Sequence, residues 1–256
     1  MAQLQPVKIR NITLGTGRPK IAVPITGITE QEIIAQAQTI KQAHPDLIEW
    51  RLDYFEEATD SNSVQTTGRA LRQVLGDMAL LTTFRTHNEG GQLMLNNSQE
   101  YQQICQNILA NNFTDALDIQ LYQEQAIVQA LVEQAHQSQT VVIMSNHDFE
   151  KTPTAAEIQQ RLLAMIALGA DVAKMSVMPQ SVEDVITLIT ATQKTAVIAE
   201  KPLITMAMGD LGKVSRIAGE VFGSALTFAS VGAASAPGQI PIANLRQELE
   251  DLRIKE

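Results

Sequence analysis

Short apolar runs recur along the chain, and each is followed by a longer amphipathic stretch. Parallel strands need a long crossover, usually a helix, so this alternation predicts a parallel sheet with helical crossovers. Eight such repeats in 256 residues match the typical size of a closed (β/α)8 barrel, the TIM barrel. The predicted strands are 20–25 (KIAVPI), 47–52 (LIEWRL), 79–84 (ALLTTF), 115–119 (DALDI), 140–146 (TVVIMSN), 171–175 (DVAKM), 202–206 (PLITM) and 224–228 (SALTF).

The amphipathic stretches supply the predicted helices. A serine or threonine followed three residues later by an acidic residue marks a helix start. Thr154 and Ser181 fit this pattern, whereas Ser98, with a tyrosine at the third position, fits it less well. The predicted helices are 29–43, 62–75, 98–110, 122–137, 154–167, 181–193, 213–221 and 242–254.

A doubly wound open sheet is the competing fold. It usually has fewer strands and a glycine-rich first turn, and the sequence shows neither feature. Residues 7–18 precede the first predicted strand and contain Gly15 and Gly17, so we expect them to form a hairpin that covers the bottom of the barrel. Because no change in composition marks a linker, we expect residues 1–256 to form one barrel domain.

Composition narrows the choice of partners and compartment. The chain is 45% hydrophobic and carries a formal net charge of −9, and such a surface repels nucleic acid and anionic membranes. Cys105 is the one cysteine, which excludes an intrachain disulfide and favours a reducing compartment. The sequence shows neither the apolar core of a signal peptide nor an apolar run of membrane-spanning length. We therefore expect a cytoplasmic protein.

Polar side chains collect at the predicted strand ends. Positions two apart share a face of a strand, so Glu49, Arg51 and Asp53 share one face of the second strand. Three charged side chains in a row cannot be core packing. We expect them near the carboxyl end, facing the barrel mouth, where active sites of this fold lie. Further polar residues at strand ends are Arg85, Asp118, Gln120, His147 and Lys174.

Lys174 is the strongest candidate for chemistry. It places one ammonium group in the short apolar run DVAKMSVMP, 171–179. Removing an unpaired ammonium from water is costly, so a lysine in such a place tends to lose its proton. A neutral lysine amine attacks carbonyl groups and forms Schiff bases. A purely structural lysine that snorkels to solvent is the alternative.

Each of the other candidates also has a structural explanation when taken alone. A histidine such as His147 is more often structural than catalytic. Glu49 and Arg51 could simply form a salt bridge, and Arg85 and Glu89, four residues apart, could form an ion pair within a loop. Their shared position at one end of the strands favours a functional pocket.

Seven segments resemble type I 3-dehydroquinate dehydratase, a Schiff-base enzyme. They occur in the same order as in that family and extend from the second predicted strand to the loop after the eighth. The segments are EWRLDYF (49–55), TTFRTHNEGG (82–91), MSNHDFEKTP (144–153), GADVAKMSVMPQS (169–181), ITMAMGDLGKVSR (204–216), AGEVFGSALTF (218–228) and SAPGQI (235–240).

The resemblance implies a homodimeric (β/α)8 barrel without metal or cofactor. It implies conversion of 3-dehydroquinate to 3-dehydroshikimate with loss of water, in the shikimate pathway of aromatic amino acid biosynthesis. It further implies that Lys174 forms the Schiff base, that His147 is the general acid and base, and that Glu49 supports the histidine. The residues implied to bind substrate are Arg51 and Arg85 on its hydroxyl side, and Arg216, Ser235 and Gln239 at its carboxylate.

Two positions depart from the family pattern. Pro24 stands where some relatives have a serine, and Gln120 stands where the fourth strand often has a glutamate. We therefore expect neither residue to bind the substrate through a polar contact.

Two other functions compete with this interpretation. An aldolase of the Schiff-base type would share Lys174 but would not need the carboxylate-binding loop. A barrel that only binds a small acid or a partner protein would not need a proton carrier. Metal-dependent hydrolysis is disfavoured because His147 and Asp148 are the only adjacent pair of metal-ligand type that includes a histidine, and the remaining histidines are scattered.

Overall fold

The computed structural model describes residues 3–254, so the ends of the predicted domain, 1–256, lie outside the described residues. The described chain begins with an antiparallel hairpin of two strands, β1 (Val7–Ile9) and β2 (Ile12–Leu14). The buried apolar side chains of the hairpin share a core with residues at the amino ends of the barrel strands, such as Leu47. The hairpin therefore covers the bottom of the barrel, as predicted.

Eight parallel strands follow one another around the sheet in chain order. The eighth pairs with the first, and the backbone before the eighth closes the ring onto the seventh. Ala225 N donates to Leu203 O at 2.7 Å, and Thr205 N donates to Ser224 Oγ at 3.0 Å. The predicted (β/α)8 barrel is confirmed. The strands are β3 (Lys20–Ile25), β4 (Leu47–Arg51), β5 (Ala79–Thr83), β6 (Ala116–Gln120), β7 (Val141–Asp148), β8 (Val172–Val177), β9 (Leu203–Ala207) and β10 (Leu226–Ser230).

Helices cover the outside of the barrel. Thr154 and Ser181 cap their helices as predicted, but the predicted cap at Ser98 is wrong: Asn97 accepts the hydrogen bond from Glu100 N instead. Among residues 3–254, no helix has both the length and the apolarity needed to cross a membrane. The helices are α1 (Glu30–Gln42), α2 (Ser61–Leu75), α3 (Ser98–Leu109), α4 (Gln125–Gln137), α5 (Ala155–Ala167), α6 (Val182–Ala196), α7 (Lys213–Ile217), α8 (Gly219–Phe222) and α9 (Ile242–Asp251).

The inner face of the barrel changes from apolar to polar towards the mouth. In β8, Val172 packs in the apolar core that the barrel shares with the hairpin, and Lys174 and Ser176 follow on the same face towards the mouth. In β6, Ala116 occupies the apolar layer and Asp118 lies above it, fully buried. The apolar layer seals the bottom, so the polar side chains above it open only towards the carboxyl ends of the strands.

Candidate active site

A cavity of about 620 Å³, including its open mouth, lies at the carboxyl ends of the strands. All eight residues predicted for the site line it, although they come from six of the strands or the loops that follow them. They are Glu49, Arg51, Arg85, His147, Lys174, Arg216, Ser235 and Gln239.

Lys174 lies on the inner face of β8 and is only 3% exposed. Its Nζ is 3.1 Å from Asp118 Oδ2 and 3.5 Å from Glu49 Oε1, and it lies 4.8 Å from the centre of the Phe228 ring. The expectation of an unpaired ammonium in an apolar run is therefore wrong. Period-two alternation placed the lysine correctly, but its carboxylate neighbours come from β4 and β6, which are distant in sequence.

Asp118 contacts both Lys174 and Arg85. Its Oδ2 lies 2.8 Å from Arg85 Nη2, and its Oδ1 accepts a hydrogen bond of 2.6 Å from Ser145 Oγ. Burial disfavours the charged carboxylate, but the charges of Arg85 and Lys174 outweigh burial and lower the pKa of Asp118 below its usual value. Asp118 is therefore a fixed anion beneath the lysine.

His147 is held by Glu89, which lies in the short 3-10 helix His87–Glu89 after β5. Glu89 Oε2 accepts from the His147 backbone N at 2.9 Å and lies 3.1 Å from His147 Nδ1. Arg85 Nη1 also reaches this oxygen, at 3.3 Å. Because the carboxylate is an acceptor in each contact, Nδ1 donates its proton to Glu89 and Nε2 carries the free lone pair.

The prediction that Glu49 supports the histidine is wrong in this structure. Glu49 lies within β4, where its Oε1 accepts from Thr83 Oγ1 at 2.8 Å and faces Lys174. His147 lies near the end of β7, closer to the mouth, and the loop that carries Glu89 reaches it there. Glu49 is thus a neighbour of the lysine, and the loop supplies the carboxylate for the histidine.

The environment keeps the His147 ring neutral. Burial lowers its pKa well below the usual 6.5, and the nearby charges of Arg85, Lys174 and Arg51 lower it further. Burial raises the pKa of Glu89 above its usual value, with Arg85 opposing this shift. A neutral imidazole with a free Nε2 is able to accept a proton from a molecule in the cavity.

Two of the predicted substrate-binding arginines are held by acidic residues. Arg51 forms two hydrogen bonds with Asp53, from Nε and Nη2, both 2.8 Å long. Burial opposes the charged form of Arg51, but these contacts with Asp53 outweigh burial and raise its pKa. Arg85 contacts both Asp118 and Glu89. Their positive charges are therefore largely balanced by protein carboxylates.

Arg216 differs from these two arginines. It is 1% exposed and follows β9 in α7, where Nη2 donates to Pro237 O at 3.0 Å and Nη1 lies 3.8 Å from Met206 Sδ. Within residues 3–254, its Nε has no hydrogen-bond partner and no carboxylate pairs with its guanidinium. Burial lowers the pKa of Arg216 to about 10, still far above neutrality. The cavity thus contains a charged guanidinium without a counterion.

Ser235 and Gln239 lie on the loop between β10 and the two-residue strand β11 (Ile240–Pro241). Gln239 Nε2 donates to Ser235 Oγ at 3.0 Å, and Gln239 Oε1 accepts from Ser235 N at 2.9 Å. Gly238 adopts a φ of +78°, and a Cβ at this position would lie 2.3 Å from Gly209 O. The loop therefore packs closely over the chain that leads to Arg216.

The two departures from the family pattern are not equivalent in the structure. Pro24 lies in β3, and its side chain has no group that forms hydrogen bonds. Gln120 is buried and clamps Thr86, accepting from Thr86 N at 2.8 Å and donating to Thr86 Oγ1 at 3.0 Å. Gln120 thus helps to hold the loop that carries Glu89, a role its position at a strand end did not reveal.

Comparison with protein families matches residues 21–256 to the type I 3-dehydroquinase family. The chain belongs to this family. The type I 3-dehydroquinase resemblance inferred from the seven segments is therefore confirmed, as is the prediction of an enzyme of the hydro-lyase class. Among residues 3–254, no group of three or more histidine, cysteine or acidic side chains is placed to hold a metal ion.

Individual type I 3-dehydroquinases extend the match. The chain is 58% identical to 3-dehydroquinate dehydratase of Lactiplantibacillus plantarum over 98% of its own length and 100% of that protein. It is 44% identical to the Bacillus subtilis 3-dehydroquinate dehydratase over 95% and 96% of the two chains. These relatives match almost the whole chain.

Solved structures agree with the fold. The type I 3-dehydroquinate dehydratase of Clostridium difficile, solved with covalently modified comenic acid, has a TM-score of 0.94 at 41% identity and 98% coverage of both chains. The 3-dehydroquinate dehydratase of Geobacillus kaustophilus has a TM-score of 0.93 at 36% identity, covering 97% of this chain and 96% of that one.

Proposed function

We propose that this type I 3-dehydroquinase converts 3-dehydroquinate to 3-dehydroshikimate through a Schiff base on Lys174. One observation carries the proposal: a buried lysine, a neutral histidine and a guanidinium without a counterion line the same cavity. The substrate is a cyclic β-hydroxy ketone with a carboxylate, and it offers one partner for each of these groups. The assignment rests on this match and on membership of the family.

The lysine provides the electron sink. Lys174 first passes its ammonium proton to His147 and then attacks the ketone carbon to form a carbinolamine. His147 returns the proton to the carbinolamine hydroxyl, which leaves as water, and a protonated imine remains. An iminium accepts the electron pair from the adjacent carbon far better than a ketone does, so covalent catalysis divides one difficult step into easier ones. A relative that was solved with a covalently modified ligand is consistent with covalent chemistry in this family.

His147 carries the protons. Its neutral Nε2 takes the proton alpha to the imine, and the resulting imidazolium returns a proton to the departing hydroxyl, which leaves as water. Glu89 fixes the tautomer through Nδ1 and stabilises the imidazolium while it exists, as a carboxylate does in other histidine dyads. Hydrolysis of the conjugated imine then releases the product and regenerates Lys174.

Arg216 supplies the site for the substrate carboxylate. A guanidinium and a carboxylate pair through two parallel hydrogen bonds, and a buried guanidinium without a counterion gains more from this pairing than Arg51 or Arg85 would. Ser235 and Gln239 lie on the adjoining loop and add polar groups beside it. Arg51 and Arg85 line the same cavity, and we assign both to the hydroxyl side of the substrate ring.

Replacing Arg216 by alanine is expected to weaken substrate binding. Hydrogen bonds to charged groups contribute about 1.5–3 kcal/mol each, so KM for 3-dehydroquinate should rise by roughly 100-fold. Steady-state kinetics with 3-dehydroquinate measures the change. The methyl ester of 3-dehydroquinate is the matched control, because it has no carboxylate and should be bound equally poorly by wild type and Arg216→Ala. An unchanged KM in the variant would remove Arg216 from the carboxylate site.

Borohydride reduction tests the proposed function as a whole. The enzyme is incubated with sodium borohydride, with and without 3-dehydroquinate, and then digested for peptide mass mapping. The expected result is a stable adduct on the peptide that contains Lys174, formed only when substrate is present. An adduct on another residue, or none with an enzyme that is shown to be folded, would refute the proposal.

We also propose that the enzyme acts in the shikimate pathway, as a homodimer in the cytoplasm, and that side chains alone carry the reaction. The pathway and the dimer follow from the family, and the location is supported by a single buried cysteine. Light scattering of the purified protein tests the dimer directly.

A further inference from the structure

A fully buried carboxylate that the proposed mechanism does not use lies in contact with the reacting nitrogen. Asp118 has no exposed surface, and its Oδ2 is 3.1 Å from Lys174 Nζ. The side chain is fixed by Arg85 on the same oxygen and by Ser145 on the other. Burying a charge is costly unless it is paired and hydrogen-bonded, and Asp118 satisfies both conditions.

The charges around Lys174 come from four other elements, and their sum explains why Asp118 matters. While Lys174 is an ammonium, the acidic and basic groups nearest to it balance. When Lys174 becomes a neutral amine or carbinolamine, the negative charges are in excess. The charges balance again when an iminium forms. The charged and titratable groups that face the lysine are Glu49 from β4, Arg85 after β5, Asp118 from β6 and His147 from β7.

We propose that Asp118 is a catalytic residue that holds the Lys174 nitrogen in place and stabilises the positive charge that develops on it. The proposal rests on the Schiff-base function proposed above. Positive charge develops on this nitrogen twice. In the carbinolamine, the nitrogen lone pair forms the C=N bond as the hydroxyl leaves with a proton from the His147 imidazolium. In the enamine, the same lone pair drives departure of the β-hydroxyl, again as water.

Asp118 acts through its charge and does not take part in proton transfer. Arg85 and Ser145 already engage both of its oxygens, and these contacts favour the ionised carboxylate. A fixed anion beside a developing cation lowers the barrier because it needs no reorganisation as the charge appears. Glu49 is farther from the nitrogen, at 3.5 Å, and has no arginine partner within the described residues.

The experiment measures how fast Lys174 forms an iminium with the product, 3-dehydroshikimate. This ketone forms the imine without the elimination step, so rapid-quench borohydride trapping and mass spectrometry report the first charge-developing step alone. In Asp118→Asn, which keeps the shape and removes the charge, the adduct should appear roughly 100-fold more slowly, the loss typical of one preorganised electrostatic contact. The kcat for 3-dehydroquinate should fall as well.

Asp115→Asn is the matched control. It makes the same change of side chain just before the same strand, where Asp115 pairs with Arg10 and Arg72 and does not line the cavity. Adduct formation should stay within about threefold of wild type, because the charge that is removed lies at the other end of the strand from Lys174. The pH at which the adduct yield is half-maximal distinguishes loss of the negative charge from a structural change. Because a carboxylate favours the ammonium form of its neighbour, this pH should move down in Asp118→Asn and stay unchanged in Asp115→Asn.

Two outcomes are decisive. Adduct formation in Asp118→Asn within threefold of wild type, with an unchanged pH midpoint, would overturn the role of Asp118 while leaving the Schiff base intact. Absence of any Lys174 adduct in wild type would overturn both proposals. If Asp118→Asn does not fold, Asp118→Ser is the second neutral variant, since its smaller side chain leaves room for a water molecule, and the same slow adduct formation is expected.

Discussion

Replacing Lys174 by alanine is expected to reduce turnover of 3-dehydroquinate by about 10⁵-fold, the scale seen when a covalent nucleophile is removed. The loss should appear in kcat, because no other described side chain in the cavity offers an amine to the ketone carbon. Substrate should still bind, since Arg216 and Arg51 are untouched. Stopped assays of 3-dehydroshikimate formation, together with equilibrium binding of substrate, measure both effects.

Lys174→Arg is the matched control for charge. Alanine leaves Asp118 and Glu49 facing each other without the cation that separates them, and this alone could disturb the cavity. Arginine restores a positive charge but does not form a Schiff base, so it should be as inactive as alanine while unfolding at a temperature closer to wild type. Turnover above about 1% of wild type in either folded variant would contradict the assignment of Lys174.

The fold, and several of the residues that line the cavity, can be predicted from the periodic pattern of apolar and polar residues in the sequence. Strand and helix periods differ, so the eight runs and their crossovers could be located, and parallel topology brings all carboxyl ends together. This is why Lys174 and His147, from distant segments, can be assigned to one pocket from the sequence pattern, whereas Arg216 is assigned to it only through the family resemblance. The limits of the strands agree with the predicted runs to within a few residues.

The pairing of residues within the cavity could not be derived in the same way. Strand alternation gives the face of a side chain but says nothing about side chains on loops. Glu89 lies on a loop, and its spacing from Arg85 indicated only an ion pair, which does form. Its second contact, with His147, depends on how that loop folds over the rim, and Gln120 and Thr86 help to fix this path.

Helix boundaries show the same limitation on a smaller scale. The stretch predicted as one helix over 213–221 divides into α7 and α8 at Ala218. Within α7, Ser215 Oγ accepts a hydrogen bond from Ala207 N, a contact with the barrel that periodicity does not encode. The short α7 carries Arg216 into the cavity.

The cavity also shows how an acidic chain can accept an anionic substrate. The net charge of −9 is spread over the whole chain, whereas Arg51, Arg85 and Arg216 meet in one enclosed space. Two of them are neutralised by Asp53, Asp118 and Glu89. Among the described residues, local pairing therefore leaves the guanidinium of Arg216 without a carboxylate partner, which suits the anionic substrate of the proposed function.

Replacing His147 by alanine is expected to lower kcat for 3-dehydroquinate by about 10³-fold, within the range that general acid–base catalysis contributes. Borohydride should still trap an adduct on Lys174, because the lysine and its carboxylate neighbours remain. The adduct should consist mainly of the dehydroquinate imine, because removal of the alpha proton becomes the slow step. Mass mapping distinguishes this imine from that of the dehydrated product.

The pH dependence of kcat/KM distinguishes the role of the His147 ring from that of Glu89. Burial and three nearby cations lower the pKa of His147 well below 6.5, so the fall in kcat/KM that its protonation causes should begin below pH 6.5 in wild type. Glu89→Gln keeps the contact with Nδ1 but removes the charge that stabilises the imidazolium. It should lower kcat less than His147→Ala and move this limb to still lower pH. An acid limb that is the same in both enzymes would show that Glu89 does not act through His147.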